Sequence, residues 1–267
     1  MPPTKPPGHA SSGVAIVGSG RLGCAFARAL RGGGLEVEGP LGRGVVPRSP
    51  IVLLCVPDGQ IPAVAELIGA GGPRPETVGD GRRFVGHVSG ATPLAALEAA
   101  GGEVFGLHPL QTFAGGEGAE AFKGVGCAVA GATLEALAVA RELAERLGMT
   151  PTEISDAERG AYHAAASVAS NFLVTLQATA EELAAGAGIE PADARALLGP
   201  LVRRTVENWI ELGPAAALTG PVARGDDATV AHQRDAVEVH APHLLPLFDE
   251  LVERTRALVP AREAVAA

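Results

Sequence analysis

Between a short β-branched run, Val14–Val17, and a helical pattern over 21–31 lies the segment Gly18-Ser19-Gly20-Arg21-Leu22-Gly23. It fits G-x-G-x-x-G, and each glycine has its own task. The first makes a tight turn, the second lets a pyrophosphate approach the backbone, and the third lets the helix pack on the strand. The phosphates then meet amides at a helix N-terminus. The chain has 36 glycines in 267 residues, so the spacing alone is weak and context decides. Here the motif follows a strand and opens a helix. That context predicts a dinucleotide cradle built by Gly18, Ser19, Gly20, Arg21, Leu22 and Gly23.

The rest of the N-terminal half agrees. Apolar runs of strand length recur at 35–37, 51–56, 84–88, 104–107 and 126–130, with helical stretches such as 93–100 and 134–147 between them. Alternation of this kind predicts an α/β fold with a mostly parallel sheet. After Ile154 the character changes. Ser155-Asp156-Ala157-Glu158 fits a capping box, and one long helix is expected from Asp156 to about Gly186. Further helices are expected over 191–212, 227–239 and 244–257, and no strand signal appears after 155. The expected organisation is a Pro/Gly/Ser-rich disordered tail over 1–12, a nucleotide-binding α/β domain over 13–154, and an all-α substrate and dimerisation domain over 155–267.

Charge and composition narrow the function. The net charge is −9 with no basic stripe, which argues against nucleic acid and anionic membrane as partners. No apolar run is long enough to span a bilayer, and the first dozen residues lack a signal-peptide core. Cys24, Cys55 and Cys127 are isolated in apolar runs. They read as buried thiols in a reducing, cytoplasmic setting, with no metal site.

The second strand should end with an acidic residue if the cofactor carries free ribose hydroxyls. Glu36 and Glu38 come early for that role, and the strand end reads Gly39-Pro40-Leu41-Gly42-Arg43. A guanidinium there suits a 2′-phosphate, so NADP(H) is expected over NAD(H). Only a short loop separates Arg43 from the strand at 51, so the usual helix and third strand are missing and the adenine side is open.

Ligands of open α/β sheets bind beyond the carboxyl ends of the strands. Val56 and Pro57 end one strand and border the cofactor. Ser89 ends the next, either binding substrate or capping its own turn. His108 ends a third, on a loop stiffened by Pro109, and either contacts substrate or nicotinamide or makes a structural hydrogen bond. On the long helix, Arg159, His163, Ser167, Ser170 and Asn171 fall within one arc of a helix expected to be buried. They either bond neighbouring helices or face substrate. In the second case His163 is the proton donor to a carbonyl, with Ser167 and Asn171 orienting it. Arg224, in Thr219–Asp226, can take a substrate carboxylate bidentately, and Asp226 is expected to cap the following helix or to pair with Arg224 rather than act as a base.

The stretches GSGRLG, LLCVPD, HVSGA, GLHPLQTF, YHAAASVASNFL and ALTGPVARGD together resemble the family of Rossmann-like and DUF2520 domain proteins. That family is similar to pyrroline-5-carboxylate reductases, prephenate dehydrogenases and the β-hydroxyacid dehydrogenase group. The resemblance implies a Rossmann domain followed by a helical, often dimerising domain. In the hydroxyacid group a catalytic Lys precedes an Asn by four residues. Asn171 matches the Asn, but the Lys position holds Ser167, so His163 is taken as the substitute acid. His108-Pro109 resembles the His-Pro of the prephenate enzymes. Some proteins similar to the family are alternative ketopantoate reductases. The expectation is therefore an NADPH-dependent reductase of a small 2-oxo acid, ketopantoate first, acting as a homodimer. The alternatives are a non-catalytic NADP-binding sensor, or an enzyme of a cyclic imine or a prephenate-like acid.

Overall fold

The computed structural model describes residues 13–71 and 82–259; the tail expected over 1–12 lies outside them. Seven strands form one sheet in the order β2-β1-β3-β4-β5-β6-β7. They are β1 (Val14–Val17), β2 (Val37–Leu41), β3 (Ile51–Leu54), β4 (Phe84–His87), β5 (Glu103–Pro109), β6 (Gly126–Gly131) and β7 (Thr150–Glu153). The first five run parallel; β6 is antiparallel to β5, and β7 is parallel to β6.

The central strands are continuous apolar runs because both faces are covered. Val14, Ile16, Ile51 and Leu53 face one core, with α1 (Arg21–Gly32) and α3 (Leu134–Arg146). Ala15, Val17, Val52 and Leu54 face the other, with α2 (Ile61–Ala70). That helix buries Ile61, Ala65 and Ile68, one helical stripe. Helix α3 starts at Thr133, whose hydroxyl accepts the Ala136 amide at 3.2 Å.

Several expectations are corrected. The second strand lies at Val37–Leu41 rather than 35–37. The segment expected as a helix over 93–100 is a 3-10 turn, Leu94–Ala100. Strand β7 reads Thr-Pro-Thr-Glu and is largely exposed; an edge strand needs no apolar alternation, so no signal announced it. Cys24 and Cys55 are only partly buried, and all three thiols are free. No helix of the described residues is long and apolar enough to cross a membrane.

Helices follow β7: α4 (Arg159–Ala169), α5 (Asn171–Gly186), α6 (Pro191–Leu212), α7 (Pro214–Ala217), α8 (Gly220–Arg224), α9 (Asp227–His240) and α10 (Leu245–Leu258). The single long helix expected from Asp156 is thus two helices parted at Ser170, with backbone angles φ −117°, ψ −73°. Its start is three residues later than expected. The Ser155 hydroxyl donates to the Glu158 carboxylate at 2.8 Å, and the Glu158 amide donates to the Ser155 carbonyl at 3.1 Å. Nor is α4 buried all round: Arg159 is, but Ala164, Ala165 and Val168 are exposed. The strands stop at Glu153, yet packing divides the chain after Ser167, into one unit ending there and a second from Val168 onward. The first turns of α4 therefore belong to the α/β unit.

Candidate functional site

The glycine loop is shaped as the motif demands. Gly18 has φ +114°, and a Cβ on it would strike the Cys55 carbonyl oxygen. A Cβ on Gly23 would strike the Gly18 carbonyl oxygen. These two glycines are required by the protein's own packing. Gly20 is different. It has φ −70°, stands at the N-cap of α1, and a Cβ there would meet nothing within 4 Å. No packing among the described residues requires this glycine, but a phosphate drawn to the helix N-terminus would occupy that open space. The residues present therefore fit a dinucleotide. Ser19, Gly20 and Arg21 are exposed, whereas Leu22 packs against the core.

Beside the loop a cavity of about 260 Å³ opens between the ends of β1, β2 and β3, lined by Gly18, Ser19, Gly20, Arg43, Val56 and Pro57 among others. Here the strand order reverses around β1, the usual ligand position in an open sheet. The Glu38 carboxylate is engaged elsewhere. It accepts the Arg48 amide at 2.9 Å and the Ser49 amide and hydroxyl at 2.8 Å. It thus pins the loop that replaces the missing helix. Arg43 is the charged side chain that the second strand's loop brings to the cavity.

A second group of polar residues gathers beyond β4 and β5. Asp156 accepts the Leu94 amide at 2.8 Å and pairs with the Arg159 guanidinium at 2.6 Å. Arg159 is 3% exposed and lies against Gly106, where a Cβ would strike it. Its Nη1 also reaches the Ser89 carbonyl at 3.4 Å. The Ser89 hydroxyl is taken up locally: it accepts the Ala91 and Thr92 amides and donates to the Thr92 hydroxyl at 2.9 Å. It caps its own turn.

Arg159 carries α4 onto this edge, so that Tyr162 and His163 meet His108. Nδ1 of His108 lies 2.8 Å from the Tyr162 hydroxyl. The rings of His108 and His163 are 6.2 Å apart, centroid to centroid. Gly90 separates them: a Cβ there would come within 2.8 Å of His163 and 2.9 Å of His108. Burial and then His163 push His108 down to about 4, with Asp58 opposing and Arg159 adding a smaller push. Burial raises Tyr162 to about 12. His87 is fully buried at the end of β4 with neither ring nitrogen hydrogen-bonded. Burial and then Arg159 push it down to about 4. No group of three or more His, Cys, Asp or Glu among the described residues could hold a metal.

Sequence reading singled out His108 and His163, which the fold brings together, but it missed Tyr162. The signal available was that this is the chain's single tyrosine, placed in an alanine-rich helix. Ser167 closes the first unit, half-buried. Asn171 and Arg224 belong to the second unit. Asn171 opens α5, exposed, just beyond the break at Ser170. Arg224 is exposed in the last turn of α8. Asp226 caps α9, accepting the Thr229 amide at 3.1 Å.

Residues 125–255 match the DUF2520 model, a domain of unknown function. No curated protein sequence matches the chain. Among solved structures, the Bacteroides fragilis protein BF3122, assigned as an NADP oxidoreductase, is 19% identical, with a TM-score of 0.75 over 93% of this chain and 99% of that one. Protein TM1727 from Thermotoga maritima is 23% identical, with a TM-score of 0.72 over 92% and 97%. A Plasmodium falciparum pyrroline carboxylate reductase with NADP bound is 12% identical, with a TM-score of 0.55 over 93% and 98%. At these identities the likeness is one of fold.

Proposed function

We propose that the chain is an NADP(H)-dependent oxidoreductase that reduces a small 2-oxo acid, with ketopantoate as the lead substrate. One observation carries the reading: the open glycine loop after β1 and His108 near the end of β5, with His163 of α4 beside it, lie at the carboxyl edge of the parallel strands. Neighbours named as an NADP oxidoreductase and as a pyrroline carboxylate reductase with NADP support nicotinamide chemistry without choosing the acid. Gly20 and the N-terminus of α1 hold the pyrophosphate. Arg43 takes the 2′-phosphate, a role that suits an arginine and that Glu38, already engaged, does not oppose. When bound, the nicotinamide supplies hydride to the substrate carbon. His163 then gives its proton to the carbonyl oxygen as negative charge grows there. His108, neutral because it is buried, steadies the same oxygen through a hydrogen bond.

Ketopantoate is the lead because of the family resemblance, and the scarcity of aromatic residues (3% of the chain) favours an aliphatic acid. The exposed apolar side chains of α5 and α6 support a homodimer. The test is NADPH oxidation by the purified chain with ketopantoate, other 2-oxo acids and a cyclic imine. Turnover of a 2-oxo acid is expected. His163→Ala should lower kcat at least about 100-fold while leaving NADPH affinity unchanged. Turnover of the imine alone would replace the substrate class. Tight NADPH binding with no oxidation in any assay would make the chain a sensor. Alanine variants of Ser167, Asn171 and Arg224 test the substrate roles expected of them through KM.

A further inference from the structure

The contact between His108 and Tyr162 joins two groups that are both uncharged near neutral pH, His108 because burial lowers it and Tyr162 because burial raises it. The 2.8 Å approach of Nδ1 to the phenol oxygen is therefore a hydrogen bond between neutral partners, and one proton must lie between them. A neutral imidazole carries a single proton, on one nitrogen or the other. The phenol O–H is more acidic than the N–H of a neutral imidazole, and the imidazole nitrogen is more basic than the phenol oxygen. The favoured arrangement has Tyr162 donating and Nδ1 accepting. The ring proton is then on Nε2. That nitrogen makes no hydrogen bond with any described residue, and it is not among the polar atoms sealed from solvent as those of His87 are. The perpendicular packing of the two rings, centroids 5.6 Å apart, holds the geometry from one side. Gly90 lies against the Cε1–Nδ1 edge, where a Cβ would come within 2.9 and 3.0 Å.

We propose that Tyr162 is a positioning residue that locks His108 as the Nε2–H tautomer, so that His108 meets its substrate as a hydrogen-bond donor and not as a base. This deepens the reductase reading, on which its catalytic meaning rests, and it narrows the substrate class. A carbonyl oxygen or the alkoxide formed from it accepts such a donor. A protonated imine has its own N–H at the reacting nitrogen and does not. The site is therefore matched to an oxo substrate and mismatched to an iminium.

The test begins with nitrogen NMR of the ¹⁵N-labelled full chain, the His108 signals being assigned by comparison with His108→Gln. A bare Nδ1 and a protonated Nε2 are expected in the unsubstituted protein. A proton on Nδ1 overturns the proposal outright, whether or not any variant folds. Tyr162→Phe should then lose the single tautomer and lower kcat on the 2-oxo acid about tenfold, the worth of one hydrogen bond, with KM and NADPH affinity nearly unchanged. A Tyr162→Phe protein whose His108 keeps the same tautomer shows that something else holds the ring, and the proposal falls. If the NMR result stands while no 2-oxo acid turns over, the tautomer assignment survives and the reductase reading fails instead.

Discussion

His87 and His108 end neighbouring parallel strands, and both are forced to stay neutral by burial. This has a consequence for stability that can be signed. Each folded imidazole takes a proton only near 4, whereas its ordinary value is 6.5. In the unfolded chain both protonate first, so acid favours unfolding. Their contribution is intact above 6.5, declines as the pH falls from 6.5 towards 4, and levels off below that. The urea midpoint should therefore drop between about pH 7 and about pH 5, before most carboxylates titrate. His87→Leu should flatten part of the drop. A midpoint that holds constant over that range in the unsubstituted protein would falsify the assignment of both as buried neutral groups. The sequence could mark His108 because a following proline stiffens its loop. It could not mark His87 as buried and unpartnered, nor Tyr162 as the partner of a histidine 54 positions away. Those properties are created by neighbours that lie far along the chain.

The strand–loop–helix element from β1 into α1 separates two uses of one residue type. Gly18 and Gly23 are fixed by contacts inside the protein, and Gly20 faces open space. Gly18→Ala should thus destabilise the fold, by about 2 kcal/mol or more, since it combines a positive φ with overpacking. Gly20→Ala should leave the thermal midpoint almost unchanged and weaken NADPH binding at least about tenfold, because its methyl occupies the place of a phosphate oxygen. Equal loss of stability in the two variants would contradict the distinction, and unchanged NADPH affinity in Gly20→Ala would remove the cradle. The motif itself was legible because its glycines serve local geometry. The interruption at Ser170 was not, since residues on both sides of it carry good helical patterns and no proline or glycine marks it. Nor was β7, whose pairing with β6 rests on backbone hydrogen bonds that any sequence can make.

At the scale of the whole molecule, the second unit leaves much apolar surface in water. Phe172 and Val174 on α5 are exposed, as are Leu197, Leu201, Trp209, Ile210 and Leu212 on α6. The proposed homodimer would cover these side chains. Light scattering at micromolar concentration should give twice the chain mass of 26.9 kDa. Trp209 is the chain's single tryptophan and stands on this surface, so its emission should shift to the red as the protein is diluted through dissociation. A monomeric mass with an unshifted emission band would dispose of the homodimer. The class of fold, the position of the glycine loop and the change from strands to helices were legible along the chain, because glycine spacing, apolar periodicity and capping act over a few residues. That Arg159 is buried against Gly106, that the Glu38 carboxylate is held by Arg48 and Ser49, and that Tyr162 meets His108 come from the assembled fold. Each of these depends on which strand lies beside which, and that follows from burying the whole sheet at once rather than from any one stretch of chain.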